Sequence, residues 1–268
     1  KIIVTAHTNN YLFQYRRFGK ISKRLLAPLE KWTYQIADRI LSVSSYVKKN
    51  LINDYQIPSF KCLLIPNGVN SDTFHPVLHN FQDQKTILYV GRLYKGKGLE
   101  YLIDAVERLI PDHPSVCLWV AGQGIYIKKI KAFIRDRLIR QHIIFLGWKD
   151  SDALNQLYNK ATVYVMPSIV EGFGMTLLEA MACGCPVIAT DSGGAVDIIR
   201  HNDNGLLVSY GNTAQLAASI NSLITNETKK NRFKQNGLAT IREFKWDTIA
   251  NRLYGVYMDA DTHEISTG

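Results

Sequence analysis

No apolar run in these 268 residues approaches the roughly 18 that a membrane-crossing helix needs, which excludes a hydrophobic helical span. No secretory signal stands at the start. Cysteine is scarce. Cys62, Cys117, Cys183 and Cys185 show no ligand spacing, and Cys183-Gly184-Cys185 is too tight for the usual Cys-x2-Cys zinc knuckle. These thiols read as buried and reduced, and a cytoplasmic setting suits them best. The chain has no Gly-x4-Gly-Lys-Ser/Thr and no Gly-x-Gly-x-x-Gly, which counts against a P-loop and against a dinucleotide oxidoreductase. Internal repeats and low-complexity tracts are also lacking. The lone sequon Asn226-Glu227-Thr228 reads as chance.

What is present is ordinary for a soluble globular protein: 46% hydrophobic and 21% charged residues, enough chain for one large domain or two modest ones. The net charge of +9 is unevenly spread. Residues 1–75 carry eleven Lys/Arg against four Asp/Glu, whereas residues 76–268 carry twenty-one against nineteen. The excess gathers in 11–37, where Arg16, Arg17, Lys20, Lys23, Arg24 and Lys31 face only Glu30, interleaved with Tyr, Phe, Leu and Trp. Such a segment suits an anionic membrane surface, with nucleic acid or a plain solvated helix face as the other readings. Nucleic acid is the less favoured partner.

Along the chain, residues 1–75 read as the tail of an α/β domain: strands at 2–6, 39–43 and 61–65, helices at 22–37 and 45–53. The opening at Lys1, without a methionine, suggests a piece cut from something longer. Pro66-Asn67-Gly68 makes a turn, and 76–85 reads as a linker. From Thr86 strands and helices alternate strictly, with helices expected at 99–110, 125–140, 151–159 and 195–200 and strands at 86–90, 116–121, 143–146, 161–166, 187–190 and 205–208. Helices near 212–224, 228–240 and 246–258 close the chain. That alternation implies a doubly wound parallel sheet spanning 86–245, with 246–268 as a closing helix and tail. Ligands of such sheets sit beyond the carboxyl ends of the strands.

The loops there carry the chemistry. Glu171 sits in a strand-to-helix loop, followed at once by Gly172-Phe173-Gly174, and Glu179 lies in the helix that starts near Met175 and Thr176. A helix start offers unbonded N–H groups and partial positive charge to an anion, while carboxylates hold hydroxyls. Together they suit a nucleotide sugar. After the first strand of this domain, Gly91-Arg92-Leu93-Tyr94-Lys95-Gly96-Lys97-Gly98 places two cations, Arg92 and Lys97, where they converge on a diphosphate; a pair of surface cations is the plain alternative. Gly122-Gln123-Gly124 is by itself a tight turn, and Trp148 is equally a packing residue. Gly193 and Gly194 open another helix start, and His7 ends the first strand, where a lone histidine is more often structural. Asp150-Ser151-Asp152 and Asp259-Ala260-Asp261 mimic a metal-binding Asp-x-Asp, but the first reads as a helix cap and the second as polar tail.

The Glu-x7-Glu spacing with its Gly-Phe-Gly turn, followed by Gly184-Cys185-Pro186-Val187-Ile188-Ala189-Thr190, resembles the retaining glycosyltransferases of family 4. That resemblance implies a GT-B fold: one complete Rossmann-like domain plus the C-terminal part of a second, acceptor-side one. It implies transfer of a sugar from a nucleoside diphosphate donor to an acceptor hydroxyl, with no metal and no cofactor. Arg92 and Lys97 then grip the donor phosphates, Glu171 positions sugar hydroxyls, Glu179 takes the ribose, and His7 approaches the donor sugar. The glycines 91, 122, 124, 172, 174, 193 and 194 with Phe173, Met175 and Thr176 line the donor, and Trp148 lies near the base. The family's N-terminal glycine-rich loop is not among these residues, so weak donor binding and poor turnover are expected of this stretch alone. A lipid-linked acceptor at the inner face of a membrane fits the basic segment. A nucleotide-sugar epimerase of the same architecture and a non-catalytic nucleotide-sugar or membrane-binding module are the alternatives.

Overall fold

The computed structural model describes residues 1–7, 19–77 and 85–262, with backbone alone for 19–27 and 259–262. Residues 11–18 of the basic segment, the side chains of 19–27, most of the expected linker 76–85 and the side chains of Asp259 and Asp261 therefore lie outside the described residues. The chain forms two compact units: Lys1–Gly68 with Glu171–Phe173 and Trp246–Gly268, and Val69–Val170 with Gly174–Lys245.

In the first unit β1 (Ile3–Ala6), α1 (Gly19–Ile36), β2 (Arg39–Ser42), α2 (Ser45–Asn53) and β3 (Cys62–Leu64) build a parallel sheet in the order β1-β2-β3. Its connections are closed by local chemistry. The Ser44 hydroxyl caps α2 by accepting the Val47 N–H. Lys61 Nζ donates to the carbonyls of Gln35 and Ala37 at 3.0 and 2.8 Å, satisfying the C-terminal end of α1. The Ile2 N–H donates to Asp38, and that bond holds the Asp38 carboxyl below its usual range. Leu29, Trp32 and Phe60 are more than half exposed here.

The second unit runs β4 (Thr86–Val90), α3 (Leu99–Glu107), β5 (Cys117–Ala121), α4 (Ile127–Phe133), β6 (Ile143–Gly147), α5 (Ser151–Lys160), β7 (Val163–Met166), α6 (Met175–Ala182), β8 (Val187–Thr190), α7 (Ala195–Ile198), β9 (Leu206–Val208), α8 (Thr213–Thr225) and α9 (Glu227–Ile241). The sheet is parallel throughout, in the order β6-β5-β4-β7-β8-β9. This is the Rossmann order, and the direction of winding reverses between β4 and β7. Every residue of β7 and β8 is buried, as central parallel strands covered on both faces require. α10 (Trp246–Thr262) counts with the first unit. Gly68 lies so close to it that a β-carbon would stand 2.6 Å from the Trp246 ring.

Three expected helices are shorter than their sequence patterns, the one over 99–110 ending at Glu107. The pattern over 125–140 reads as one helix, but it breaks after Phe133, with Arg137 extended and a single 3-10 turn at Leu138–Gln141. The cause is Glu107. Its carboxylate accepts the Ile139 N–H at 3.2 Å and two bonds from the Arg137 guanidinium, drawing the chain out of helical register. The pattern over 195–200 yields only four helical residues. Asn204, fully buried, accepts the Arg200 N–H at 2.7 Å and donates to Ile198 O at 3.0 Å, ending α7 early.

Candidate functional site

The winding reversal puts the loop after β4 beside the loop after β7, and hydrogen bonds join them. The Ile169 N–H donates to Gly96 O at 3.0 Å. Gly98, at φ +67°, sits against Pro167 so closely that a β-carbon would stand 1.9 Å from the Pro167 carbonyl oxygen. On the other side the β4 loop is bonded to the loop after β5: Gly91 N–H to Ala121 O and Leu93 N–H to Gln123 O, both at 3.0 Å. The loop after β5 is held in turn by the Gly122 N–H, which donates to Gly147 O at 2.7 Å. Three loops and the end of β6 at the carboxyl edge of the sheet therefore form one bonded array.

Within that array, Arg92 and Lys97 both lie over the ring of Tyr94, at 5.5 and 5.7 Å from its centroid. The electron-rich π-system of Tyr94 attracts both cations and holds each near the same ring. The Tyr89 hydroxyl donates to Arg92 O at 3.2 Å and fixes the backbone that carries the guanidinium. Tyr94, which neighbours both cations, is not among the candidates read from the sequence.

On the β7 side, Thr190 Oγ1 donates to Ser168 O, as does Ser192 Oγ at 3.3 Å, anchoring the segment that leads into α6. Gly174, at φ +117°, begins α6, and no side chain caps the helix start. Its first turn carries no acidic residue. The backbone amides of Met175 and Thr176 thus carry no side-chain cap, whereas the Thr176 hydroxyl is engaged. It accepts the Tyr164 hydroxyl at 2.7 Å and points toward Met166 Sδ.

Glu179, half-buried on α6, accepts the Tyr158 hydroxyl on Oε2 at 2.9 Å. Burial pushes its pKa above the usual carboxylate range, and the Tyr158 bond opposes that rise. Tyr158 is fully buried; desolvation and the neighbouring Glu179 charge push its pKa well up and keep its proton in place. The thiol of Cys183, beyond α6, is likewise pushed up by burial and donates to Asn155 Oδ1 at 3.0 Å.

The remaining sequence candidates fall as follows. Gly122 and Gly124 have a packing reason of their own, because β-carbons there would stand 1.9 Å from Gly91 O and 2.2 Å from Leu93 O. Gly193 and Gly194 lead into α7, a helix of one turn with Gly194 at its N-cap. Trp148 is 65% exposed, so it is no core residue. Asp150 caps α5 by accepting the Ala153 N–H, as its pattern implies. Glu171, Gly172 and Phe173 group with the first unit, as does the exposed His7 at the end of β1; Phe173 is buried. Tyr94 and Tyr158 are the site residues that sequence reasoning missed. A tyrosine between two cations is a signal for the first, whereas Tyr158 stands twenty-one residues from Glu179 and gives none.

Residues 70–240 match the family model described as glycosyl transferases group 1, and residues 1–73 match that of glycosyltransferase family 4. An uncharacterized glycosyltransferase of Methanocaldococcus jannaschii is 32% identical over 82% of this chain and 59% of its own length. Sucrose-phosphate synthase from Thermosynechococcus elongatus superposes with a TM-score of 0.83 at 26% identity, covering 97% of this chain and 68% of that one. HepE of Anabaena, solved with UDP-glucose, superposes with a TM-score of 0.82 at 21% identity over 96% and 72% of the two chains, a likeness of fold. The architecture is of the GT-B type. The chain spans about 60% of the length of the first curated relatives it matches.

Proposed function

This chain belongs to the group 1 glycosyl transferases, and from that premise we propose that it transfers a sugar from a nucleoside diphosphate donor to an acceptor hydroxyl with retention at the anomeric carbon. The observation that carries the reading is the pairing of Arg92 and Lys97 over Tyr94, in a loop bonded through Gly96 to Ile169 and so to the lead-in of α6.

Cleaving the donor leaves a diphosphate carrying extra negative charge and a sugar with oxocarbenium character. Two cations held at one ring and the uncapped amides at the start of α6 suit the first. No metal enters this account. Glu179 takes the ribose hydroxyls and Glu171 the sugar hydroxyls, with His7 near the sugar. Glu171 is not a covalent nucleophile in this reading, because paired carboxylates of the glycosidase kind flank the scissile bond from opposite sides. Here both are tied to one loop and its helix.

The acceptor reading rests on residues 11–37. A basic, aromatic-bearing segment of that composition favours a lipid-linked acceptor at an anionic membrane surface. The chain has among its described residues no helix long and apolar enough to cross a membrane. Transfer from UDP- and GDP-sugars, with the product anomer read by NMR, tests the reaction. A product with the donor's anomeric configuration, lost in Glu171→Ala, is the expected result; an inverted product overturns the retaining assignment.

A further inference from the structure

We propose that Tyr158 is a positioning residue of this donor site: its hydroxyl holds one oxygen of the Glu179 carboxylate so that the other is presented to the vicinal hydroxyls of the donor ribose. The inference rests on the assignment of Glu179 to the ribose.

The geometry supporting it is built from several elements. Tyr158 comes from α5, is fully buried, and donates to Glu179 Oε2 at 2.9 Å. Its ring is packed edge-on against Tyr164 of β7 at 5.5 Å and against Phe74 at 6.1 Å, so the hydroxyl has little freedom to leave. Tyr164 donates to Thr176 Oγ1, three residues before Glu179 on the same helix. Two buried tyrosines thus fix one face of α6. Among the described residues, Glu179 Oε1 accepts no hydrogen bond, although the side chain is half-buried. A half-buried carboxylate whose second oxygen is given no protein donor matches a ligand that brings its own O–H groups.

Charge follows the same logic. The groups facing Glu179 are Tyr158, with Tyr164 behind it, and the Cys183 thiol beyond α6; burial keeps Tyr158 and Cys183 in their neutral forms. The Tyr158 bond is what opposes the upward push of burial on Glu179. Without it the carboxylate ionises at higher pH, and the acid limb of donor binding moves up.

The test is calorimetric titration of UDP and GDP, and of their 2′,3′-dideoxy analogues, into the chain, Tyr158→Phe, Glu179→Gln and the double variant. The wild type is expected to bind at least one ribonucleotide more tightly than its dideoxy analogue. Tyr158→Phe should weaken that ribonucleotide about 3–10-fold, leave the dideoxy analogue unchanged and shift the acid limb upward. In the Glu179→Gln background, which lacks the charge offered to the ribose hydroxyls, the same change should cost clearly less than in the wild type. An equal loss for both nucleotides would mean simple packing, and no loss for either would mean no role; each overturns the proposal. A wild type that does not discriminate overturns the ribose assignment of Glu179, and the proposal with it. Failure to bind either diphosphate contradicts the donor reading itself.

Discussion

Gly98 and Pro167 approach so closely that no side chain fits between the loop carrying Lys97 and the segment leading to α6. Any β-carbon at residue 98 would stand 1.9 Å from the Pro167 oxygen, and φ of +67° is strained for any L side chain. Gly98→Ala should therefore cost more than about 2 kcal/mol, lowering the melting temperature by about 5 °C. It should also push the two loops apart and weaken diphosphate binding beyond what the lost stability explains. Thermal melts beside calorimetry at a temperature where the variant remains folded check both parts.

Glu179 is expected to show a conflict between stability and function. Its folded-state pKa lies above the ordinary value, with burial as the main cause. The protonated form is thus favoured by folding, and the stability it brings is present at low pH and lost as pH rises through the folded pKa. Glu179→Gln keeps an acceptor for Tyr158 and removes the charge. It should melt higher than wild type at pH 8, nearly level with it at pH 4, and bind ribonucleotide less well. Melting curves across that range decide the matter.

The bracket that breaks the 125–140 helix gives the opposite pH sign. The Arg137 bond is the main cause of a depressed Glu107 pKa, with the Ile139 N–H adding to it. The stability contributed is present above the ordinary carboxylate pKa and lost as pH falls through the depressed one. Arg137 also bonds Asp104 at 2.7 Å and stacks on Phe133 at 4.4 Å. Arg137→Ala should cost about 1–2 kcal/mol at pH 7 and much less at pH 3, read from denaturant midpoints.

Asn204 makes three side-chain bonds in a fully buried position: to the Arg200 N–H, Ile198 O and Thr240 Oγ1. Asn204→Ala strands all three partners and should cost about 2–3 kcal/mol. Hydrogen exchange should show the loss centred on α7 and its junction with α9, and Asn204→Asp should recover little of it.

Where burial alone decides an element, the sequence is readable. The runs Ile87-Leu88-Tyr89, Val163-Tyr164-Val165 and Val187-Ile188-Ala189 are apolar because both faces of the sheet are covered, and they form β4, β7 and β8. Their alternation with helices was enough to place the candidate loops at one edge. Elements ended by distant side chains are not readable in the same way. Helical periodicity continues past Phe133, and it yields only because Glu107, thirty-two residues before Ile139, takes its amide. Gly122 and Gly124 look like ligand-contacting glycines, yet the loops they touch already require them. Tyr158 is a buried tyrosine on an amphipathic helix like many others until its hydroxyl is found on Glu179.

In the proposed donor site, Arg92 and Lys97, both held at the Tyr94 ring, bind the diphosphate. Calorimetric titration of UDP and GDP into the wild type and into the Arg92→Ala/Lys97→Ala double variant tests it most directly. Each lost charge-assisted contact is worth about 1.5–3 kcal/mol, so the double variant should bind at least about 100-fold more weakly while melting within a few degrees of wild type. A double variant that binds as tightly as the wild type would contradict the account.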